Sequence, residues 1–258
     1  MTKKEVSLHQ IILVNKVLIQ RNMKKLKLMT VLACLLAVFG CQTKQGTYAL
    51  GGTGIGAAAG AALGAIIGHG KGAAIGAAIG SAVGAGTGAI IGRHMDKVAQ
   101  ETAAQVQNAK VEEVTDANGL KAVKVTFDSG LLFQTGKSTL AANSKTDLSK
   151  FATVLKNNST CDVDIQGYTD NQGWKNCTAE QSTAKNQELS LDRATSVSSY
   201  LQSLGVGTSQ IKSVKGFGET NPVGDNTTAA GRQANRRVEV YLYASQEMVN
   251  QANNGSLQ

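Results

Sequence analysis

The sequence predicts an α+β fold: a two-layer sandwich in the C-terminal half, preceded by a glycine-rich helical hairpin. Three observations support this prediction. Short runs alternate apolar and polar residues, as strands do, while other apolar residues recur at helical spacing. These strand-like and helix-like segments alternate after residue 111, so that helices can pack on a sheet. Glycine occupies every fourth position through "GAAIGAAIGSAVGAGTGAIIG", residues 72–92.

Residues 1–40 predict an export signal whose core lies at 23–40. "MKKLKLMTVLACLLAVFGC", from Met23, has a lysine-rich head, an apolar run and a small residue before a cysteine. This order is typical of secretory signals, and the apolar run is too short to span a bilayer comfortably. A buried helix with incidental cysteines is the alternative, and either Met1 or Met23 could be the true start.

The end of this segment, "VFGC", resembles the lipobox at which bacterial lipoprotein signals are cut. The resemblance implies acylation of Cys41. Cys34 is a weaker candidate because only six apolar residues separate it from Lys27. Residues 41–50 would then be a short linker after the lipidated cysteine. The following "QTKQGT" lacks the aspartate common in inner-membrane lipoproteins, so the resemblance favours a lipid anchor in the outer membrane, with the protein facing the periplasm.

The net charge of +8 belongs mostly to the export signal. Residues 1–40 contain seven lysines and arginines and one acid, and the remainder, with 19 basic and 17 acidic residues, carries +2. A nucleic-acid partner therefore loses its main support, because nucleic-acid binders concentrate positive charge on the folded domain.

Residues 51–92 are predicted to form a glycine-zipper helical hairpin with a turn near "HGK". In water, glycine costs a helix about 1 kcal/mol relative to alanine, so the pattern is useful where backbones approach closely, as in membranes. A hairpin inserted in outer-membrane lipid, a hairpin packed on or under the membrane, and a disordered tether all stay open. Self-association through the glycines follows from the same pattern.

Two segments flank the predicted globular domain. Residues 93–110 have apolar or semi-polar positions at near-helical spacing, which predicts a helical linker. Residues 245–258 are polar and are predicted to form a frayed tail.

Residues 111–244 are predicted to form one domain. Asn118-Gly119, between two alternating runs, predicts a β-hairpin, and Leu148, Phe151 and Leu155 predict a first helix. The remaining predicted elements are a strand through Val163 and Ile165, a second helix through Ala194, Val197, Leu201 and Leu204 that Gly205 closes, and strands in "IKSVKGFGE" and "RRVEVYLY".

Four segments of this domain resemble the OmpA-like peptidoglycan-binding domain in order and spacing. They are "GYTDNQG", "NQELSLDRATSVSSYL", "GFGETNP" and "GRQANRRVEVYL", within residues 120–244. With the glycine segment, the chain resembles outer-membrane lipoproteins of this family that carry an N-terminal glycine zipper. The resemblance implies a βαβαβ-type two-layer sandwich, in which a mixed sheet carries helices on one face.

A candidate binding site combines Asp170, in the loop after a strand, with Arg193. Ser190 is predicted to cap the second helix, which would put Arg193 in its first turn. An acid beside an arginine suits a zwitterion, although from the residues alone a surface ion pair is the better explanation. The resemblance implies the free end of diaminopimelate in the peptidoglycan stem peptide as the ligand. The residues that it implies beside Asp170 and Arg193 are Thr169, Asn186, Asn235, Arg236 and Arg237.

The loop after Asp170 is longer than the resemblance leads us to expect. The additional "WKNCTAEQSTAK", residues 174–185, contains the only tryptophan, Trp174. This segment could cover the ligand groove, or it could be a surface loop. An exported domain permits a disulfide, and Cys161 and Cys177 are candidates for one if the loop folds back along the strand.

The sequence contains no motif of a hydrolase or metalloenzyme. Beyond the export signal only His69 and His94 remain, both in or beside the glycine segment. We therefore expect a non-catalytic protein without cofactor or metal. The resemblances at both ends of the chain imply that it tethers the outer membrane to the cell wall. The alternative hypothesis is a membrane oligomer or pore driven by the glycine zipper and positioned by the wall-binding domain.

Overall fold

The computed structural model describes residues 83–257. The predicted export signal, the predicted lipidation at Cys41 and the glycine segment up to residue 82 lie outside this range. Among residues 83–257, no helix combines the length and apolar character that crossing a bilayer requires.

A five-stranded mixed sheet forms one layer of the domain. Its strands are β1 (Ala109–Thr115), β2 (Lys121–Asp128), β3 (Cys161–Gly167), β4 (Ile211–Gly216) and β5 (Arg237–Ala244). Their spatial order is β1-β2-β5-β3-β4. Only β3 and β4 pair in parallel, and the other neighbours are antiparallel. Strand β5 is therefore the central strand, and its residues lie beside both β2 and β3.

The β1–β2 hairpin turns at the predicted position. Gly119 adopts a positive φ of 76°, a conformation in which glycine lacks the steric cost of other residues. The Asp116 carboxylate accepts hydrogen bonds from the backbone amides of Asn118 (2.8 Å) and Leu120 (2.9 Å). The turn thus satisfies its own backbone donors through one side chain.

Six helices accompany the sheet in the described range. They are α1 (Ala85–Gln105), α2 (Ser129–Leu132), α3 (Ser144–Asn157), α4 (Ala179–Ser203), α5 (Ala229–Asn235) and α6 (Gln246–Asn253). The core lies between one face of the sheet and helices α1, α3, α4 and α6. Within it, the rings of Phe127 from β2 and Phe151 from α3 meet edge to face at 5.6 Å. The predicted α+β sandwich, with a mixed sheet and helices on one face, is confirmed.

Helix α1 crosses the predicted boundary between the glycine segment and the linker. Its buried side chains include Ile91, Met95 and Val98, which belong to the same core as the sheet. At Gly88 and Gly92, a β-carbon would lie 3.9 Å from Leu120 and 3.8 Å from Lys121, both at the end of the hairpin. In the part described, the last glycines and the predicted linker therefore form one helix that packs on the domain.

The C-terminal segment differs from the predicted frayed tail. Ser245 caps helix α6, because its hydroxyl accepts a hydrogen bond from the Met248 amide at 3.1 Å. Met248, Val249 and Ala252 share the face of α6 that is buried in the core. The prediction was wrong because it used overall polarity, whereas three apolar residues at helical spacing suffice to bury this short helix.

Candidate functional site

Helix α4 carries two of the candidate residues, Asn186 and Arg193, and it begins earlier than predicted. Thr178 is its N-cap and forms a capping box with Gln181. Ser190 lies in the interior of the helix, where its hydroxyl donates to the Gln187 carbonyl (2.7 Å) and accepts from the Gly218 amide (2.8 Å). The prediction that Ser190 caps the helix was therefore wrong. Arg193 lies in mid-helix, and the helix N-terminus contributes nothing to its site.

The additional segment 174–185 explains this difference. From Ala179 onwards its residues form the first turns of α4, so much of it is a helical extension rather than a surface loop. The sequence did not predict this extension. "TAEQ" contains both partners of a capping box, but no apolar run follows it to indicate a helix.

Two glycines allow α4 to lie directly on the sheet. A β-carbon at Gly167 would lie 2.0 Å from the Ser190 carbonyl oxygen, and one at Gly216 would lie 2.4 Å from the Leu191 nitrogen. Real β-carbons do not approach backbone atoms so closely. This contact brings the middle of α4 beside the end of β3, where Asp170 follows in the chain.

Arg193 is a buried cation, with 3% of its surface exposed. Its Nε donates to the Lys137 carbonyl at 3.0 Å, and its guanidinium lies 5.2 Å from the centre of the Phe133 ring. No carboxylate forms a salt bridge with it among residues 83–257. Burial, followed by repulsion from Arg236, lowers the pKa of Arg193 to about 10, while Asp170 acts in the opposite direction. Within the described residues, the charge of Arg193 therefore has no salt-bridge partner.

Asp170 forms its salt bridge with Arg236 instead. Arg236 Nη1 contacts Asp170 Oδ2, and Arg236 Nη2 donates to the Gln233 side-chain oxygen. The other Asp170 oxygen accepts a hydrogen bond from the Gln172 amide at 3.1 Å. Asp170, Arg193 and Arg236 together carry one negative and two positive charges, so the cluster has a net charge of +1. The resemblance had implied Arg236 as one of the residues beside Asp170 and Arg193, and the structure makes it the salt-bridge partner of Asp170.

Thr169 and Asn186 lie beside this cluster. The Thr169 hydroxyl is buried and has no hydrogen-bond partner within the described chain. The Asn186 amide nitrogen donates to the Gln172 carbonyl and to Glu219, both at 3.2 Å, and its oxygen accepts from the Trp174 indole nitrogen at 2.8 Å. Asn186 therefore fixes the loop around Asp170, whereas the Thr169 hydroxyl has no hydrogen-bond partner among the described residues.

Asn235 and Arg237 are engaged in the structure of the domain. The Asn235 side chain hydrogen-bonds the backbone of Val223 and Gly224. Arg237 forms a buried salt bridge with Glu239 at 2.7 Å and lies 3.8 Å from the centre of the Tyr168 ring. Neither side chain joins Arg193 in the cluster, and their ligand contact stays a prediction.

The sequence did not identify several of the residues that build the site. Phe133, Lys137 and Gln233 come from separate loops and helices. Their types carry no motif, and their roles follow only from the packing of the 133–139 segment and α5 around α4.

The two candidate disulfide cysteines are free thiols in the structure. Cys161 begins β3, and its side chain is fully buried in the core, with its sulfur 3.9 Å from the Met95 sulfur. Cys177 lies beyond the other end of that strand, just before α4. A strand rises about 3.3 Å per residue, and the extension does not fold back along β3 because it continues into the helix.

A mixed five-stranded sheet with helices on one face is the fold that the resemblance to OmpA-like domains implies. Comparisons with known proteins agree. Residues 132–236 match the OmpA family, and residues 23–96 match the YMGG-like Gly-zipper. The chain is 34% identical over 220 residues to the probable lipoprotein YiaD of Escherichia coli, covering 80% of this chain and 92% of that protein. This chain belongs to the OmpA family.

Two further relatives cover shorter parts. The peptidoglycan-binding protein ArfA of Mycobacterium tuberculosis is 41% identical over 95 residues, which are 37% of this chain and 26% of ArfA. The crystal structure of a MotB-like protein from Desulfovibrio vulgaris superposes with a TM-score of 0.51 at 22% identity, covering 62% of this chain and 96% of that one. The second similarity supports the fold alone.

Proposed function

We propose that this protein binds peptidoglycan without catalysing a reaction, through the cluster of Asp170, Arg193 and Arg236. The observation that carries the proposal is the buried Arg193 guanidinium, which has no salt-bridge partner in the described chain. Burying an unpaired cation is costly, and a carboxylate from a ligand would compensate that cost. The unpartnered Thr169 hydroxyl beside the cluster offers a further hydrogen bond.

The charges fit a zwitterionic ligand end. A carboxylate would be held by the terminal nitrogens of Arg193, because guanidinium and carboxylate form paired hydrogen bonds. An ammonium would contact Asp170, which already accepts from Arg236 and the Gln172 amide. The free end of diaminopimelate in the stem peptide carries both groups on one carbon. Membership of the OmpA family and the similarity to a peptidoglycan-binding protein support this ligand class.

We also propose that the protein connects the outer membrane to the cell wall. The lipobox-like "VFGC" would place lipid on Cys41, and a relative of which this chain covers 92% is named a probable lipoprotein. Several acyl chains on one cysteine would give stable anchoring. The wall-binding cluster lies more than a hundred residues later, in a domain whose first helix begins at Ala85.

Co-sedimentation of the full chain with cell-wall sacculi tests the ligand. In a mild detergent, the unaltered protein should sediment with sacculi that contain diaminopimelate and much less with sacculi that contain lysine at that position. Removing one partner of a buried charge interaction costs about 2–5 kcal/mol, so Asp170→Asn and Arg193→Gln should each weaken binding at least about 30-fold.

Two results would contradict the proposal. If both variants sediment as well as the unaltered protein while their melting curves show that they are folded, the cluster is not the binding site. Release of soluble muropeptides from sacculi by the purified protein would contradict the non-catalytic role. Asp225→Asn is a suitable control variant, because Asp225 is exposed and bonds only within its own turn.

A further inference from the structure

A cleft lies beside the charged cluster, between the 136–139 turn and helix α4. Its volume is about 320 Å³, and its walls include Lys137, Trp174, Lys185, Glu188 and Asp192. The helix residues 185, 188 and 192 share one face of α4, since helical neighbours are three and four residues apart. The cleft therefore extends over about two turns, roughly 10 Å, of the helix.

Trp174 is held rigidly in this cleft. Its indole nitrogen donates to Asn186 at 2.8 Å, and its backbone amide donates to the Ser182 hydroxyl at 3.0 Å. The Lys185 ammonium lies 5.5 Å from the ring centre, and a β-carbon at Gly136 would lie 3.8 Å from the outer edge of the ring. The side chain is nevertheless only half-buried. A large aromatic ring that is fixed in orientation but remains accessible is a suitable stacking platform for a ligand.

The charges of the cleft differ from those of the Arg193 cluster. Two lysines and two acids line it, so its net charge is zero, and Ser138 adds a hydroxyl. Such a wall offers both hydrogen-bond donors and acceptors. Because its net charge is zero, it does not favour a charged ligand. A pyranose ring fits this combination, because the C–H bonds on one of its faces can stack on an indole while its hydroxyl and acetamido groups hydrogen-bond at the edges.

Two residues, Lys137 and Asn186, connect the cleft with the charged cluster. Lys137 lines the cleft, and its backbone carbonyl accepts the hydrogen bond from Arg193. Asn186 holds the Trp174 ring through its oxygen and, through its nitrogen, contacts the Asp170 carbonyl at 3.5 Å. A ligand whose charged end lies on Arg193 can therefore continue into the cleft without leaving the surface.

We infer that this cleft binds an N-acetylated sugar of the glycan strand to which the stem peptide is attached. The inference rests on the proposed function for its link to peptidoglycan. The recognition of the sugar itself needs only the accessible ring of Trp174 and cleft walls whose net charge is zero. The segment that carries Trp174 and extends α4 would thus add glycan recognition to stem-peptide recognition.

Tryptophan fluorescence of the full chain tests this inference directly, because Trp174 is the only tryptophan of the protein. Peptide-free glycan strands should change the intensity and shift the emission of the unaltered protein in a saturable manner. By isothermal titration calorimetry, which does not depend on the indole, the disaccharide-tripeptide should bind about tenfold more tightly than the free tripeptide. In Trp174→Ala that ratio should fall to near one, and Trp174→Phe, which keeps a ring, should retain part of it.

Leu191→Ala is the matched control, since Leu191 lies on the same helix but is exposed outside the cleft. This variant should keep the tenfold ratio. No emission change with glycan strands, or a tenfold ratio that persists in Trp174→Ala, would overturn the inference. Failure of the free tripeptide to bind would overturn the stem-peptide site alone, because the response to peptide-free strands does not depend on it.

Discussion

Gly167→Ala is the substitution that tests the construction of the site most directly. The new β-carbon would lie 2.0 Å from the Ser190 carbonyl oxygen and 2.9 Å from its carbonyl carbon. Both contacts are to helix backbone, which cannot rotate away as a side chain can. Helix α4 must therefore move outward by more than an ångström to restore an ordinary contact distance.

The expected cost follows from this overlap. Overpacking a core costs roughly 1–3 kcal/mol, with larger values for severe overlap, and we expect about 3 kcal/mol here. For a domain of this size, that corresponds to a decrease in melting temperature of roughly 6–12 °C. Because α4 also carries Asn186 and Arg193, the folded variant should bind sacculi at least about tenfold more weakly, since binding groups must be held to within about 0.5 Å.

Thermal unfolding and sacculus co-sedimentation of the full chain measure both effects. Gly207→Ala is the control: its new β-carbon would meet only side-chain atoms, at 3.8 Å or beyond, so stability and binding should stay near those of the unaltered protein. If Gly167→Ala melts within a degree of the control, the close contact between β3 and α4 is not a determinant of the fold. If it is destabilised but binds sacculi normally, the position of α4 does not control the site.

Three further predictions concern other parts of the domain. Burial raises the pKa of Asp116 to about 6 from 3.8, so the folded state holds this proton more tightly; the free energy of unfolding should fall by about 2 kcal/mol as the pH rises from 4 to 7. Asp116→Asn should remove that fall, and urea denaturation profiles of the two proteins that run parallel over this range would contradict the assignment. Met248 is fully buried, so Met248→Ala should lower the free energy of unfolding by about 2–5 kcal/mol, whereas a loss below about 0.5 kcal/mol would mean that α6 contributes little to the core. Burial raises the pKa of Cys161 to about 12, so alkylation followed by peptide mass spectrometry should modify Cys177 in the native protein and Cys161 only after unfolding; a peptide joining the two cysteines would contradict the free thiols.

Much of the fold could be predicted because local patterns coincide with the final structure. The alternating residues Val123, Val125 and Phe127 of β2 all face the core, and Leu148, Phe151 and Leu155 form the buried face of α3. The predictions that differ from the structure concern segments whose placement depends on partners. The polar tail becomes a packed helix because the core accepts Met248.

The site was predictable only in its principal residues. Asp170 and Arg193 were identified from a resemblance and from their charges, and the structure brings them into one cluster. The resemblance also implied Arg236, but its salt bridge with Asp170 and the hydrogen bond from Arg193 to the Lys137 carbonyl were not predictable, because these groups come from distant positions in the chain. Charge alone favoured a direct Asp170–Arg193 pair, but the packing of α5 places the Arg236 guanidinium in contact with the Asp170 carboxylate.

The amino-acid sequence was sufficient to predict the β1–β2 hairpin, the later strands, the two long helices α3 and α4, the glycine period, the export-signal pattern and the residue types of the site. These features depend on neighbours within a few positions of the chain, where periodicity and turn chemistry act. The three-dimensional packing was needed to show that Arg193 is buried without a salt-bridge partner among residues 83–257, that Asp170 pairs with Arg236, and that Trp174 lines a cleft. Such properties arise where α4 lies against Gly167 and Gly216, since burial and charge pairing depend on which distant segments the sheet brings together.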